Sequence, residues 1–197
     1  MKEHGIRGDA RYRLLESELL GEGSLVRLVK ERVRLPNGHE MEQDRIELPP
    51  AVAVVPLLEE PPGELFVVLV EQFRNAVRGY LHEIPAGILA AGEEPAACAV
   101  RELEEETGFR AGRVEHLASL LMVPGTSSHR LHFFLAEELT PGAQDLEPAE
   151  CLRVRKVPFE PLVRRVVEEP PGSSVVVDAK THLALLHVKA LIDRRGR

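Results

Sequence analysis

The chain has 197 residues, a formal net charge of −7, 44% hydrophobic residues and 29% charged residues. This length and balance are typical of one globular domain, with room for a small additional piece and enough apolar residues for a buried core. The net negative charge disfavours non-specific binding to nucleic acid or to an anionic membrane surface, since both require a basic patch.

The first predicted elements form a small antiparallel piece near the N-terminus. LVRLVKERVRL from Leu25 to Leu35 mixes β-branched and basic residues, Pro36-Asn37-Gly38 is a strong hairpin signal, and HEMEQDRIEL returns as a more polar strand. A polar piece of two or three strands buries little apolar surface alone. We therefore expect residues 1–48, the N-terminal annex, to pack against either the main domain of residues 49–197 or a second subunit.

The remaining residues predict alternating strands and helices. The predicted strands are Ala51–Leu58, Leu65–Phe73, His116–Val123, Leu131–Ala136 and CLRVRKV from Cys151, and the predicted helices are a central helix, Pro158–Glu169, and a final helix from an N-cap at Asp178 to about Arg194. Strands interrupted by a central helix and followed by helices at the end predict an α/β fold with a mixed sheet between helices.

The central helix lies in GILAAGEEPAACAVRELEEETGF, from Gly87 to Phe109. Glu93, Glu94 and Pro95 are typical of a first turn, and Gly108 is the natural end after Thr107. At roughly 100° per residue, one side of the helix is predicted to pack on the sheet; its members are Ala96, Ala99, Val100, Leu103 and Thr107.

Three glutamates cluster beside that predicted packing face. Glu102, Glu105 and Glu106 stand at positions i, i+3 and i+4, where like charges repel unless a cation lies between them. A hard divalent cation such as magnesium prefers oxygen ligands and binds substrate phosphates as well. The alternative interpretation of such a run is a solvated acidic face.

The complete pattern decides between these interpretations. Gly87 is followed by five residues, Glu93, seven residues, and then Arg101-Glu102-Leu103-x-Glu105-Glu106-x-Gly108-Phe109, which matches every fixed position of the Nudix box. The stretch therefore resembles the Nudix hydrolases. The resemblance implies an α/β/α sandwich with a mixed sheet, an ion pair between Arg101 and Glu93 that braces loop and helix, and hydrolysis of a nucleoside diphosphate linked to another group.

The flanking sequences are similar to the ADP-ribose pyrophosphatase branch of that family. The similar segments are RLVKERVRLPNGHE, VEQFR (Val70–Arg74), LHEIPAGILAAGE, the Pro124-Gly125 pair fifteen positions beyond Phe109, and DAKTHLALL (Asp178–Leu186). This branch implies conversion of ADP-ribose to AMP and ribose 5-phosphate. It also implies a homodimer in which the N-terminal annexes exchange and help to build each other's substrate pocket.

The resemblance implies a metal site and a mechanism. The backbone carbonyl of Ala86 and the carboxylates of Glu102 and Glu106 would hold Mg²⁺ or Mn²⁺, and Glu105 would be a further ligand or would orient a metal-bridging water. Two or three such ions would neutralise the diphosphate and activate that water for attack on one phosphorus.

It also implies substrate contacts outside the helix. Arg74 would contact the diphosphate or the ribose, and the Pro124-Gly125 pair belongs to the substrate loop. Glu83 would reach substrate or metal, or would be a buried acid paired with an arginine. Arg27 and Arg32 of the partner subunit would contact the diphosphate or the adenine side.

One segment departs from the branch. Many members carry a glutamate in the loop after the Pro-Gly pair, whereas this loop, Pro124–Arg130, has no carboxylate and places His129 at that position. A histidine can accept a proton near neutral pH but cannot replace a carboxylate on a hard cation. His129 is therefore a candidate general base, and the alternatives are that it binds a phosphate or the ribose, or has no role.

The same departure leaves the substrate open. FAD, a diadenosine diphosphate or a nucleotide sugar are alternatives to ADP-ribose. Sanitisers of oxidised nucleoside triphosphates are weaker alternatives because they tend to lack the annex, and non-catalytic ADP-ribose sensors usually lose glutamates that this chain keeps.

No apolar run is long enough for a membrane span, and Cys98 and Cys151 have no metal-ligand spacing, so we expect reduced thiols and a cytoplasmic location.

Overall fold

The computed structural model describes residues 8–61, 63–146, 148, 150–168 and 178–196. These residues fall into two compact units, which are described separately. The smaller unit combines the described residues up to Pro49 with the loop Leu121–His129, and the larger unit contains Pro50–Leu120 and the described residues from Arg130 onward. The predicted main domain had included this loop, which the structure groups with the smaller unit.

The smaller unit is built on a three-stranded antiparallel sheet. Its strands are β1 (Arg13–Glu22), β2 (Arg27–Arg34) and β3 (Glu40–Glu47), in the order β1-β2-β3. Gly38 has φ 85° in the β2–β3 turn, a conformation that glycine adopts without strain, as the hairpin signal predicted. The backbone N–H of Ile46 donates to the carbonyl of Thr126 at 2.8 Å, which attaches the loop Leu121–His129 to β3.

The larger unit contains a mixed seven-stranded sheet. Its order is β10-β5-β4-β9-β8, with β6 paired to β5 and β7 paired to β4. The strand β4 runs parallel to β9 and antiparallel to β5 and β7. The bounds are β4 Ala51–Glu60, β5 Glu64–Arg74, β6 Gly79–Glu83, β7 Ala86–Ile88, β8 Phe109–Leu121, β9 Arg130–Pro141 and β10 Leu152–Pro158.

The described residues contain three helices beside this sheet: α1 (Pro95–Thr107), α2 (Phe159–Glu168) and α3 (Ala179–Arg195). Val52 and Val54 of β4 form one core cluster with Ala99 and Leu103 of α1. Because strand side chains alternate, the completely buried odd-numbered residues of β4 face the opposite side, and α3 contacts the same strand. Helices therefore cover both faces of a mixed sheet, which confirms the predicted α/β/α fold.

The predicted end of the central helix at Thr107 is confirmed, but the helix begins at Pro95, so Glu93 and Glu94, predicted in its first turn, precede it. Its predicted packing face is wrong in part. Ala99, Leu103 and Thr107 are buried as expected, whereas Ala96 and Val100 are exposed. The buried side is completed instead by Cys98, Glu102 and Glu106.

Other elements differ from prediction mainly in extent. The strands β1, β6 and β7 were not predicted, and β7 replaces the turn expected at Ala86 and Gly87. The strand β8 begins directly after the central helix, and β9 continues to Pro141. Asp178 is the N-cap of α3, as predicted, and its carboxylate accepts from the backbone N–H of Thr181. The last residue of the predicted helix Pro158–Glu169 lies outside the described residues. None of the described helices is both long enough and apolar enough to cross a membrane.

Candidate active site

The candidate site is built on α1 and on the short strand β7 that precedes it in the larger unit. Pro95 at the first helical position and Gly108 in the left-handed region at φ 72° set the two ends of the helix. Gly108 donates its backbone N–H to the carbonyl of Glu104, which closes the last turn. These ends place the last two turns of α1 against β7, with which the helix is in contact.

Glu106 is a nearly fully buried carboxylate. Its side chain accepts a 3.2 Å hydrogen bond at Oε2 from the backbone N–H of Ala86, and the residue is only 4% exposed. Burial raises the pKa of Glu106 to about 8, and the nearby Glu102 carboxylate adds to the effect. This carboxylate therefore lies where negative charge is costly unless a cation compensates it.

The Glu102 carboxylate lies over Gly87, the second residue of β7. A Cβ atom at Gly87 would lie 1.9 Å from the Cδ of Glu102, so only a glycine leaves room for this carboxylate. Glu102 is 8% exposed, and burial raises its pKa above the ordinary value. Two like-charged carboxylates are thus buried side by side against Ala86 and Gly87.

Arg101 connects the site to the preceding loop. Its Nη1 donates 2.8 Å hydrogen bonds to Glu102 and to Glu105, and its Nε and Nη2 donate to the two oxygens of Glu93 at 2.9 and 3.1 Å. Glu93 also accepts from the backbone N–H of Ala90. The Arg101 guanidinium holds the pKa of Glu93 down at about 2, so the ion pair expected from the resemblance is present.

The donor chemistry of the site fits a hard divalent cation. Glu102 and Glu106 supply two buried carboxylates whose pKa values are raised, and β7 offers the backbone carbonyl of Ala86. Within the described ranges, no three His, Cys, Asp or Glu side chains converge closely enough to hold an ion as they stand. Arg101 provides the positive charge at Glu102 and Glu105, so an ion bound there has to share or replace that contact.

Arg74 and Glu83 form a second part of the site, at the paired ends of β5 and β6. Arg74 donates from Nε and Nη2 to the two oxygens of Glu83, at 2.7 and 3.0 Å. Glu83 is buried and also accepts from the Nζ of Lys180. Of the two predicted alternatives for Glu83, the buried acid paired with an arginine describes this arrangement.

Two charged residues of this group were missed from the sequence. Lys180 donates to the Asp178 carboxylate at 2.7 Å as well as to Glu83. Both belong to the segment DAKTHLALL, which was noted only as a similarity to the branch. The available signal was a lysine in the first turn of the predicted helix, where a positive charge is unfavourable without an acidic partner.

The predicted substrate loop lies in the smaller unit. Pro124 and Gly125 are exposed and help to line a cavity of about 230 Å³. The Nδ1 of His129 lies 3.0 Å from the carbonyl oxygen of Pro49. A carbonyl only accepts, so Nδ1 carries the proton and Nε2 is the acceptor nitrogen of the neutral ring. The cavity is lined by Gln43, Asp44, Arg45, Leu121, Pro124, Gly125, Thr126, Ser127 and Ser128.

Arg27 and Arg32 lie on the sheet of the smaller unit and are paired with acidic residues there. Arg27 contacts Glu47 at 2.9 Å and Glu22 at 3.3 Å. Arg32 contacts Glu16 at 3.0 Å and Glu40 at 3.3 Å. Their role toward the substrate of a partner subunit stays a prediction.

Comparison with known proteins identifies the family. A NUDIX domain match covers residues 47–176, more than half of the chain and the whole of α1. The chain belongs to the Nudix family. The predicted family, and with it the predicted class of hydrolase, is confirmed.

Curated relatives match nearly the whole chain. An ADP-ribose pyrophosphatase of Bacillus subtilis (strain 168) is 35% identical over 177 residues, which are 89% of this chain and 91% of that protein. An ADP-sugar pyrophosphatase of Mus musculus is 30% identical over 196 residues, covering 91% and 90% of the two chains. A crystal structure of an "ADP compounds hydrolase" matches with a TM-score of 0.82, covers 98% of this chain and 100% of that one, and at 22% identity shows the shared fold.

Proposed function

We propose that this Nudix protein hydrolyses the pyrophosphate bond of ADP-ribose, or of a closely related ADP-sugar, to AMP and a sugar phosphate, with Mg²⁺ as its metal ion. The observation that carries the proposal is the burial of the Glu102 and Glu106 carboxylates side by side against Ala86 and Gly87. The two curated relatives described above supply the substrate class, since both are named for cleavage of ADP-linked sugars.

The proposed metal ligands are the carboxylates of Glu102, Glu105 and Glu106 and the carbonyl of Ala86. An ion held by these residues would supply positive charge to the diphosphate and would lower the pKa of a bound water. Glu102 and Glu106 are pre-positioned by burial, whereas Glu105 is more exposed and is held by Arg101 alone among the described residues. Glu105 is thus the ligand with most freedom to turn toward a bridging water.

Substrate binding is assigned to Arg74 and to the loop of the smaller unit. Arg74 has a rigid fork of donors, which matches the oxygens of a diphosphate. Pro124 and Gly125 line the cavity described above, which offers space for a sugar or a base. His129 has its Nε2 as acceptor, so it is the proposed proton acceptor in place of the glutamate that the branch carries in this loop.

The proposed assembly is a homodimer formed through the N-terminal annexes. Eight of the 17 large hydrophobic residues that are exposed in the described chain lie between Tyr12 and Met41. Such a concentration of exposed apolar side chains favours a protein interface. In the dimer, Arg27 and Arg32 would reach the partner's substrate.

Two free cysteines, one of them exposed, support the proposed cytoplasmic location.

A product assay tests the proposed activity. The purified protein is incubated with Mg²⁺ and, separately, with ADP-ribose, FAD, a diadenosine diphosphate and GDP-mannose, and the released mononucleotides are separated. We expect AMP from ADP-ribose with the highest kcat/KM. Preferred release of FMN from FAD, or of GMP from GDP-mannose, would move the assignment to that substrate, and no turnover of any of them would favour a non-catalytic ADP-ribose sensor.

A matched pair of variants connects the activity to the site. Glu106→Gln keeps the side-chain shape and the hydrogen bond from Ala86 but removes the charge, so we expect kcat to fall by about a thousandfold or more with the fold retained. Glu104→Gln on the same helix is the control, because Glu104 bonds Arg110 at 2.7 Å on another side of α1. Equal losses in both variants would remove Glu106 from the proposed ligand set.

A further inference from the structure

The first turn of α3 carries a chain of charged side chains that ends at Arg74. The carboxylate of Asp178 accepts from the backbone N–H and the hydroxyl of Thr181, at 3.1 and 2.6 Å, and from Lys180 Nζ at 2.7 Å. Lys180 Nζ also donates to Oε2 of Glu83. Glu83 in turn accepts both hydrogen bonds of Arg74. Asp178, Lys180, Glu83 and Arg74 are called the Arg74 network below.

The Arg74 network is buried at Glu83 and Lys180 and exposed to solvent at Arg74. The side chains of Glu83 and Lys180 are 4% and 13% exposed, whereas that of Arg74 is 40% exposed. A second contact holds the first turn of α3 beside Glu83: the backbone N–H of Ile84 donates to the hydroxyl of Thr181 at 2.9 Å. The carboxylate that holds Arg74 is therefore located by α3, nearly one hundred residues further along the chain.

The charges of the network balance. Arg74 and Lys180 are positive, and Glu83 and Asp178 are negative. Burial alone would raise the pKa of Glu83, but hydrogen bonds and charge from Arg74 and Lys180 together hold it below its ordinary value. Glu83 thus stays ionised and accepts from Nε and Nη2 of Arg74, on one edge of the guanidinium. The donors of Nη1 lie on the other edge of the plane, away from Glu83.

We propose that Lys180 and Asp178 are positioning residues for substrate binding, which orient Arg74 through Glu83. The inference rests on the proposed function, in which Arg74 binds the diphosphate. It also explains why a lysine stands in the first turn of α3, where the helix dipole opposes a positive charge. The substrate class is a nucleoside diphosphate sugar, and the contact concerned is its doubly charged bridge.

Two variants with opposite changes of charge separate positioning from simple electrostatics. Lys180→Met removes a positive charge, and Asp178→Asn removes a negative charge while keeping an oxygen that can cap α3. If the network positions Arg74, both variants raise KM for ADP-ribose by about tenfold with kcat within about twofold of wild type. If only the net charge matters, Asp178→Asn lowers KM and the inference is overturned.

A control variant and a double-mutant cycle complete the kinetic test. Lys189→Met on the same helix removes a lysine that pairs with Asp193 and Glu160, so its KM should equal that of wild type. In an Arg74→Ala background, Lys180→Met should change kcat/KM by less than about twofold, since Lys180 acts through Arg74. Additive losses would show that Lys180 does not act through Arg74.

An activity-independent measurement distinguishes failure of this inference from failure of the proposed function. In ¹⁵N-labelled protein, the Nε–H signal of Arg74 is assigned by its absence in Arg74→Lys. We expect this proton to exchange slowly with water in wild type and at least about tenfold faster in Lys180→Met and in Asp178→Asn. An unchanged rate in a folded variant overturns the inference. Accelerated exchange without turnover of ADP-ribose would overturn only the proposed function, and circular dichroism excludes a variant that has unfolded.

Discussion

Gly87 has no side chain, and this absence leaves room for the Glu102 carboxylate in the candidate site. A Cβ atom there would lie 1.9 Å from the carboxyl carbon of Glu102, at the far end of a side chain that can move aside. Gly87→Ala should therefore keep the fold but displace Glu102, lowering kcat of ADP-ribose hydrolysis by about a hundredfold.

Thermal unfolding and turnover of the same preparation check this expectation. Gly196→Ala after α3 is the control, because a Cβ atom at Gly196 would meet only the Ile192 carbonyl oxygen at 3.6 Å, an ordinary contact. Wild-type turnover by Gly87→Ala would contradict the proposal, because it would show that hydrolysis does not depend on the position of Glu102 against Gly87.

Cys98 is a buried thiol at the base of the site, beside Arg101 and the carbonyl of Ile88. Burial, helped by Glu93, raises the pKa of its thiol to about 12, so almost no reactive thiolate is present near neutral pH. Cys151 is exposed. A disulfide reagent at pH 8 should therefore label one thiol per native chain and two after denaturation. Rapid labelling of both in the native protein would contradict the burial of Cys98.

For single residues, the sequence predicted the candidate site residues better than it predicted their hydrogen-bond partners. The box pattern identified Glu102, Glu105 and Glu106 together with the Arg101–Glu93 pair, which the structure contains. It did not predict the bond from Lys180 to Glu83 or the hydrogen bond between His129 and Pro49. Both contacts join residues that are distant in sequence, and no local periodicity encodes them.

At the scale of elements, α1 and its loop are braced by the ion pair of Glu93 with Arg101. The pKa of Glu93 is about 2 in the folded protein against an ordinary 4.5, so the folded state favours the ionised form. The pair therefore contributes stability at pH values above about 4.5, and this contribution is lost as the pH falls toward 2.

Urea unfolding of wild type and Glu93→Gln at pH 7 and pH 3 measures this contribution. The variant should be less stable at pH 7, and more than half of the difference should have disappeared at pH 3. Glu94→Gln is the matched control, because the Glu94 side chain makes no capping hydrogen bond. A difference that stays constant between the two pH values would contradict the assigned ion pair.

The predicted elements failed where tertiary structure overrides local preference. The predicted ends of the central helix lie close to the observed ones, because Pro95 and Gly108 are strong local signals. Its packing face was partly wrong because an apolar-stripe rule cannot anticipate that Glu102 and Glu106 are buried. The strand β1, RLLESELLGE, lacks β-branched residues, and it is a strand because it pairs with β2 along its length.

At the scale of the whole molecule, the exposed apolar side chains of the annex predict a dimer. Leu19 is 46% exposed on β1, and Leu19→Asp should reduce the mass measured by light scattering from that of a dimer to that of a monomer. Val167→Asp changes an equally apolar but more exposed residue of α2 and should leave the dimer intact. A wild-type protein that is monomeric and fully active would contradict the proposed annex exchange.

Titration with Mn²⁺ tests whether the glutamates of α1 hold a divalent ion. Free Mn²⁺ is followed by electron paramagnetic resonance in the presence of wild type, Glu102→Gln, Glu106→Gln and the control Glu104→Gln. We predict that wild type and Glu104→Gln bind Mn²⁺ with equal affinity, and that the other two variants bind it at least about tenfold more weakly. Equal affinity in all four proteins would show that Glu102 and Glu106 do not bind the ion.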